Sequence, residues 1–393
     1  MSGSAAPPIP AAWIVTPASE PPANGFELWG LSSAQRLQRS LQRVGCAEIH
    51  TLAPQDVLDP GRHDRVLLLR SDWIYDERLI EALGSAIDTG LRSAQSDSAG
   101  ETEFVAANVS ARTSDAVRRA LQTGAEAPEE LSLRKPTELA PSYSAKLRKF
   151  DPPYLLRACP EQLNEIEKRT FSASYKGATD LVTKWVWPVP ARALTQHLAR
   201  AHVHPNTVTL ASWVLAVAAF WLFWRGEFGI GLVTAWLMTF LDTVDGKLAR
   251  VTLTSSELGN VLDHGLDLVH PPFWWYAWGV GIQAATGPAT LIVVAGYFAG
   301  RLIEGLFLFF FKFETHSWRP IDTLFRTLTA RRNPNLIFFS VGTAAGRPDL
   351  GMVMVALWTV ASLAFHGTRL LQAAVGRARG KTISAWDEAQ RAR

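Results

Sequence analysis

Two cysteines in 393 residues are too few for a disulfide framework. Cys46 and Cys159 lie far apart in the polar half of the chain and form no zinc-ligand spacing, which fits a reducing, cytosolic setting. Charge of one sign is also scarce. With 39 basic and 36 acidic residues the net charge is only +3, so the basic excess that nucleic acid requires is missing. The opening MSGSAAPPIPAAW has no positive stretch followed by an apolar core, and no signal peptide is expected. No internal repeat shows, which sets aside solenoids and propellers. A glycine-rich loop is lacking where the first apolar run ends. IVTPASEPPANGF offers no glycine repeat to bring backbone N–H groups to a phosphate.

What is present is unevenly spread. Mean hydropathy of +0.05 is ordinary, yet most of the Trp and Phe, and the long apolar runs, fall within 206–375. A soluble domain joined to a membrane domain accounts for the split, and the length has room for both. In the first part, AAWIV (11–15), AEIHTL (47–52), RVLLL (65–69) and EFVAAN (103–108) read as strands. SSAQRLQRSLQRVG (32–45), DERLIEALGSAIDTGL (76–91) and SDAVRRALQTG (114–124) read as helices. The alternation predicts a Rossmann-like α/β domain over 1–131 with a mainly parallel sheet.

Residues 125–160 are rich in Pro and charge and read as a linker. LVTKWVWPVPARALTQHLARAHV (181–203) then surrounds an apolar stripe with Trp185, Trp187, Lys184, Arg192 and Arg200. That mixture predicts an amphipathic helix lying in the lipid headgroup layer. A soluble helix docked on the first domain is the plainer account. The boundaries follow as 132–202 for linker and interfacial helix, 203–376 for the membrane domain, and 377–393 for a basic cytoplasmic tail.

Six apolar segments, about 207–224, 228–248, 258–282, 287–312, 335–347 and 350–373, predict an all-α bundle of six transmembrane helices. Pro271, Pro272, Arg301 and Glu304 mark the third and fourth as lining the bundle interior. Lys312, Arg319, Arg326, Arg331, Arg332 and the tail place the basic residues on one side. Positive-inside topology in an inner or plasma membrane then puts both termini and the site below at the cytoplasmic face.

The centre of the chain is LDTVDGKLARVTLTSSELGNVLDHGLDLVH (241–270). Acids at membrane depth cost several kcal/mol each, of order 2–4 on insertion scales, and rarely sit idle. Asp242 and Asp245 are i, i+3 and Asp263 and Asp267 are i, i+4, so each pair shares a helical face. Two such faces turned together form an all-oxygen site for a hard divalent cation. Structural pairing of these acids with Arg250, Arg301 or other cations is the plainer account. His264 and His270 read as packing or supporting residues.

The spacing Asp242-x-x-Asp245-Gly246-x-x-Ala249-Arg250, eight residues, then Gly259-x-x-x-Asp263-x-x-x-Asp267 resembles the motif of the CDP-alcohol phosphotransferases. The resemblance runs from Pro205 to about Val375. It implies Mg²⁺ or Mn²⁺, one or two ions, on Asp242, Asp245 and Asp263 with Asp267 close by. It also implies Asp267 as the base that deprotonates the acceptor hydroxyl. Gly246, Ala249 and Gly259 would let the nucleotide lie against the helices, with Arg250 on a phosphate. Asn206 and Thr209, in a Pro-Asn-x-x-Thr entry to the first span, are further nucleotide candidates, although an N-cap explains Asn206 as well. Members are often dimeric, so a homodimer is an expectation too.

The first domain resembles sugar-nucleotide and inositol-phosphate nucleotidyltransferases, in which an Asp after the third strand holds metal. Asp72 matches that position, but the missing glycine loop points to a relic or regulatory domain. His316, Arg319, Arg326, Arg331 and Arg332 offer donors for an acceptor that already carries phosphate, or else simply set topology. The expectation is an integral membrane transferase of phospholipid biosynthesis. It would move a substituted phosphoryl group from CDP-diacylglycerol to inositol phosphate or a similar polyol, releasing CMP. Transfer of a CDP-linked headgroup to a lipid alcohol, and a cation transporter using the aspartates, are the alternatives.

Overall fold

The computed structural model describes residues 9, 11–18, 26–96, 102–255 and 257–386. The side chains of 94–96, 257, 258, 260, 262–264 and 266 lie outside that description. The chain divides into two compact units: Met1–Tyr175 with Ala199–Ala201 and Val251–Leu253, and the remainder.

The first unit is built on a six-stranded sheet in the order β2-β1-β3-β6-β5-β7. Its strands are β1 (Ala11–Val15), β2 (Glu48–Leu52), β3 (Arg65–Arg70), β5 (Thr89–Ser96), β6 (Thr102–Ser110) and β7 (Ser132–Arg134), while β4 (Trp73–Tyr75) pairs outside it with Leu155–Arg157. β1 runs parallel to β2 and β3, and β7 parallel to β5, whereas β6 is antiparallel to both neighbours. The sheet is therefore mixed, because β6 returns directly along β5. Every residue of β1 is buried, and its side chains alternate between two cores. Ala12 and Ile14 pack with Leu37 and Leu41 of α1 (Ser33–Arg43) and Leu79 and Leu83 of α2 (Glu77–Ser85). Trp13 and Val15 pack with Val117 and Leu121 of α3 (Ser114–Thr123).

Local chemistry sets these ends. Ser32 accepts from the backbone of Gln35, whose side chain returns the bond to Ser32, a capping box that starts α1. Gly124, at φ 71°, closes α3 in the left-handed conformation. The helix predicted to 91 instead ends at Ser85. Ala86 is extended, Asp88 turns the chain at φ 47°, and Thr89 begins β5. The stretch read as a linker also carries structure. Ser132–Arg134 pairs with Thr89–Leu91, followed by α4 (Pro136–Leu139) and α5 (Leu163–Ala173).

The second unit is helical: a wide π turn at Val182–Val186, α6 (Pro188–Arg200), α7 (Pro205–Trp224), α8 (Phe228–Val251), α9 (Glu257–Gly281), α10 (Pro288–Phe311), α11 (Pro320–Arg326), α12 (Arg332–Ala344) and α13 (Pro348–Ala378). Among the described residues four helices are long and apolar enough to cross a membrane: α7, α8, α10 and α13. α12, with 13 residues, is shorter than the hydrocarbon is thick. α9 has the length, but its acids stand among its apolar residues. Trp185, Val186 and Val189 are exposed on the segment read as interfacial.

Small residues let the backbones approach. A Cβ on Gly281 of α9 would stand 2.2 Å from the carbonyl oxygen of Phe223, and one on Gly342 of α12 would stand 2.7 Å from Cα of Gly351 in α13. Trp274, Trp275, Trp278, Phe223 and Phe339 fill the space between. Their polar edges are satisfied: Trp274 Nε1 donates to Ala216 O (2.8 Å) and Trp278 Nε1 to Pro348 O (3.1 Å).

Candidate active site

Helix spacing puts Asp242 and Asp245 one turn apart on α8. Asp245 is buried, and its Oδ2 accepts from Thr209 Oγ1 at 2.6 Å, so α7 and α8 are tied at this level. Thr209 is therefore placed at the acids. Asn206 is not an N-cap. His204 caps α7, its Nδ1 accepting from the backbone N of Asn206. On the next turn of α8 a Cβ at Gly246 would lie 3.1 Å from Arg250 Nη2, so the guanidinium lies over the glycine. Ala249 is half-buried on the same helix, as is Gly259 on α9.

The acids of α8 and α9 meet at one cation. Arg332, first residue of α12, places Nη2 2.6 Å from Asp242 Oδ2 and Nη1 2.7 Å from Asp267 Oδ1. Asp242 is almost fully enclosed, whereas the Asp267 side chain is 54% exposed and so open to a reactant. Arg331 and Arg332 leave the start of α12 in different directions, Arg331 toward α10 and Arg332 toward the carboxylates. Two of the acids thus pair with a cation, Arg332.

Among the described residues no three Asp, Glu, His or Cys side chains are close enough to share an ion. Asp245 turns to Thr209, while the side chains of Asp263 and His264 lie outside the described residues. His270 is buried, its ring 4.6 Å from that of Trp274, which is the packing role expected of it. The donor set nevertheless fits a hard divalent cation. It consists of carboxylate oxygens from two helices, and the guanidinium between them stands in for the positive charge they attract.

A second charged group lies along α10 and the segment before α12. Arg331 Nη2 donates to both carboxylate oxygens of Glu304 (2.6 and 2.7 Å), and Arg301 Nη2 stands 3.0 Å from the same carboxylate. Arg326 of α11 joins them. Burial, and then Arg331 beside it, pushes Arg326 down to about 9, against the opposing pull of Glu304. Glu304 touches two of the three arginines and Asp180 also acts on Arg326, so the guanidinium groups outnumber the carboxylates three to two. Arg319 and His316 are engaged elsewhere: Arg319 stacks on Trp318 (4.6 Å to the ring centroid) and His316 lies 3.0 Å from Glu314.

Sequence reasoning missed Asp180. Its Oδ1 accepts from the backbone N of Val182 and from Asn333 Nδ2 (3.0 Å each), which ties the π turn to the start of α12. The signal was an aspartate just ahead of a helical run, the usual N-cap pattern. Asn333 and Asn335, next to Arg332, each keep a buried side-chain oxygen without a hydrogen-bond partner among the described residues.

Residues 202–331 match the CDP-alcohol phosphatidyltransferase family. Cholinephosphotransferase 1 of Gallus gallus is 28% identical over 178 residues, 40% of this chain and 48% of the relative. Cholinephosphotransferase 1 of Xenopus laevis is 27% identical over 168 residues, 38% and 37% of the two chains. Phosphatidylinositol phosphate synthase of Streptomyces avermitilis is 41% identical over 73 residues, 18% and 30%. The chain thus spans less than half the length of each of these relatives. The CDP-alcohol phosphatidyltransferase match covers α7 to α11 and with them every acid of the site, while Arg332 follows directly after its last residue.

In the first unit Asp72 follows β3 as expected, but it is locked. Arg70 donates to both its oxygens (Nε–Oδ1 3.0 Å, Nη2–Oδ2 2.6 Å) and through Nη1 to Glu103 (3.0 Å), all but out of solvent. This carboxylate is held by a fixed cation of the same sheet.

Proposed function

We propose that the helical unit is a metal-dependent CDP-alcohol phosphotransferase of phospholipid biosynthesis. In this reading α9 and α12 complete a bundle of six spans with the site at the cytoplasmic side. The observation that carries it is the meeting of Asp242 and Asp267, from two different helices of the matched domain, on one positive charge. Asp242, Asp245 and Asp263 would hold one or two Mg²⁺ or Mn²⁺ ions. When bound, such an ion neutralises the pyrophosphate of the CDP-alcohol and stabilises charge on the transferred phosphorus. Gly246, Ala249 and Gly259 leave room for the nucleotide, and Arg250 over Gly246 is within reach of its phosphates. Asp267, the exposed acid, takes the proton from the acceptor hydroxyl.

Arg301, Arg326 and Arg331 favour an acceptor that brings its own phosphate, since three guanidinium groups face only the carboxylates of Glu304 and Asp180. The favoured reaction therefore joins CDP-diacylglycerol to inositol phosphate and releases CMP, in line with the likeness to phosphatidylinositol phosphate synthase. The longer likeness to cholinephosphotransferase supports a second reading, in which a CDP-linked headgroup passes to a lipid alcohol.

Purified protein given Mg²⁺ or Mn²⁺ with either CDP-diacylglycerol and inositol phosphate or CDP-choline and diacylglycerol separates the two. Mass spectrometry should find phosphatidylinositol phosphate and CMP in the first mixture. CMP in neither would refute the proposal, and product only in the second would reverse donor and acceptor.

A further inference from the structure

We infer that Arg332 is a built-in counter-cation that competes with the divalent ion at Asp242 while it holds Asp267, so that metal enters this site only by displacing a guanidinium. The inference rests on the reading of the acids as a metal site and adds to it a condition on how the metal binds. Arg332 gives each acid one charge-assisted contact, at 2.6 and 2.7 Å. The contact on Asp242 takes an oxygen that an ion shared by α8 and α9 would use. A guanidinium and a divalent ion brought to the same oxygen repel each other and compete for it. The side chain is 14% exposed, anchored at the first residue of α12 and flanked by Met238 Sδ at 3.9 Å. It is held by its position in the fold and is no surface arginine that drifted onto an acid.

The next residue of α12 shows where the displaced group can go. Asn333 keeps a buried carbonyl oxygen without a partner among the described residues, and its amide binds Asp180. An anionic substrate phosphate offers a further destination. The exchange balances charge throughout. The acids are never left as an uncompensated pair in a buried place, a state that costs several kcal/mol, of order 3–5.

The test is Mn²⁺ binding to the full chain in detergent without nucleotide, read by calorimetry and by the electron-spin signal of free Mn²⁺. Asp242→Asn defines the site as the binding that it abolishes. Arg332→Gln should tighten Mn²⁺ binding about tenfold, the loss of roughly one charge-assisted bond's worth of competition. Arg332→Lys, which keeps the charge without the two-pronged reach, should fall between. Arg331→Gln removes the same charge from a guanidinium held by Glu304 and should change the affinity less than about twofold. In unaltered protein, Mn²⁺ should raise the rate at which phenylglyoxal modifies Arg332, measured by peptide mass spectrometry.

Unchanged or weaker Mn²⁺ binding in Arg332→Gln, with wild-type binding intact, would overturn the competition and leave the metal site standing. Equal tightening in the Arg331 and Arg332 variants would reduce the effect to a through-space field and also overturn it. No binding to wild type or any variant would overturn the metal reading itself.

Discussion

A buried carboxylate states its role through its partner, and the two acids singled out from each half of the sequence differ on this point. Asp72 is paired by both oxygens to Arg70, which also holds Glu103. Arg70→Ala leaves Asp72 uncompensated in the interior, while Glu103 keeps Arg157 at 3.0 Å, and should destabilise the first unit by about 3–5 kcal/mol, seen as an early unfolding transition in a melt followed by circular dichroism. The double replacement Arg70→Met with Asp72→Leu should recover most of that loss. Asp267, by contrast, is half-exposed, and Arg332 reaches its Oδ1. Asp267→Asn should leave nucleotide and Mn²⁺ binding within a few-fold of wild type and reduce CMP release at least 10³-fold, and wild-type-like turnover would remove it as the base. The aspartates were legible in the sequence because charge within an apolar segment is conspicuous. Arg332 as their partner was not. Nothing in the run ARRNPN separates two adjacent arginines, and only the start of α12 sends one to Glu304 and the other to Asp242.

At the scale of elements, periodicity and caps served well where the chemistry was local. β1, α1 and α3 fall within two residues of expectation because Ser32, Gln35 and Gly124 mark their ends. The error at 76–91 arose because the apolar spacing of α2 runs on through Ile87 to Leu91, which outweighed Gly84 and Gly90 on either side of the turn at Asp88. β7 escaped notice for the opposite reason. Its three residues are all exposed, and pairing with β5 alone makes them a strand. Two predictions belong here. Arg331→Ala should raise KM for a phosphorylated acceptor at least tenfold and leave KM for the CDP-lipid nearly unchanged. Equal shifts in initial-rate assays would reduce the arginine group to a topology signal. Gly342→Ala puts a methyl 2.7 Å from the Cα and N of Gly351, backbone that cannot move aside. It should cost about 1–3 kcal/mol and lower the melting temperature in detergent.

For the whole molecule, the split between a polar and an apolar part was visible in composition alone, and the four long apolar helices bear out a membrane-spanning region. Their number was harder to read, since α9 mixes acids with apolar residues and α12 is too short to be recognised by length. If basic residues set the orientation, single cysteines placed at 320–330 should react with a membrane-impermeant maleimide only in inverted vesicles, and cysteines at 284–287 only in right-side-out ones. The claim on which the account turns is that acids from α8 and α9 work on one shared cation. Its most direct measurement is Mn²⁺-dependent CMP release from CDP-diacylglycerol by the purified chain, compared with Asp242→Asn and Asp263→Asn. The account predicts release that saturates with Mn²⁺ in the wild type and is lost in both variants. Release that persists with a chelator present, or in either variant, would contradict it.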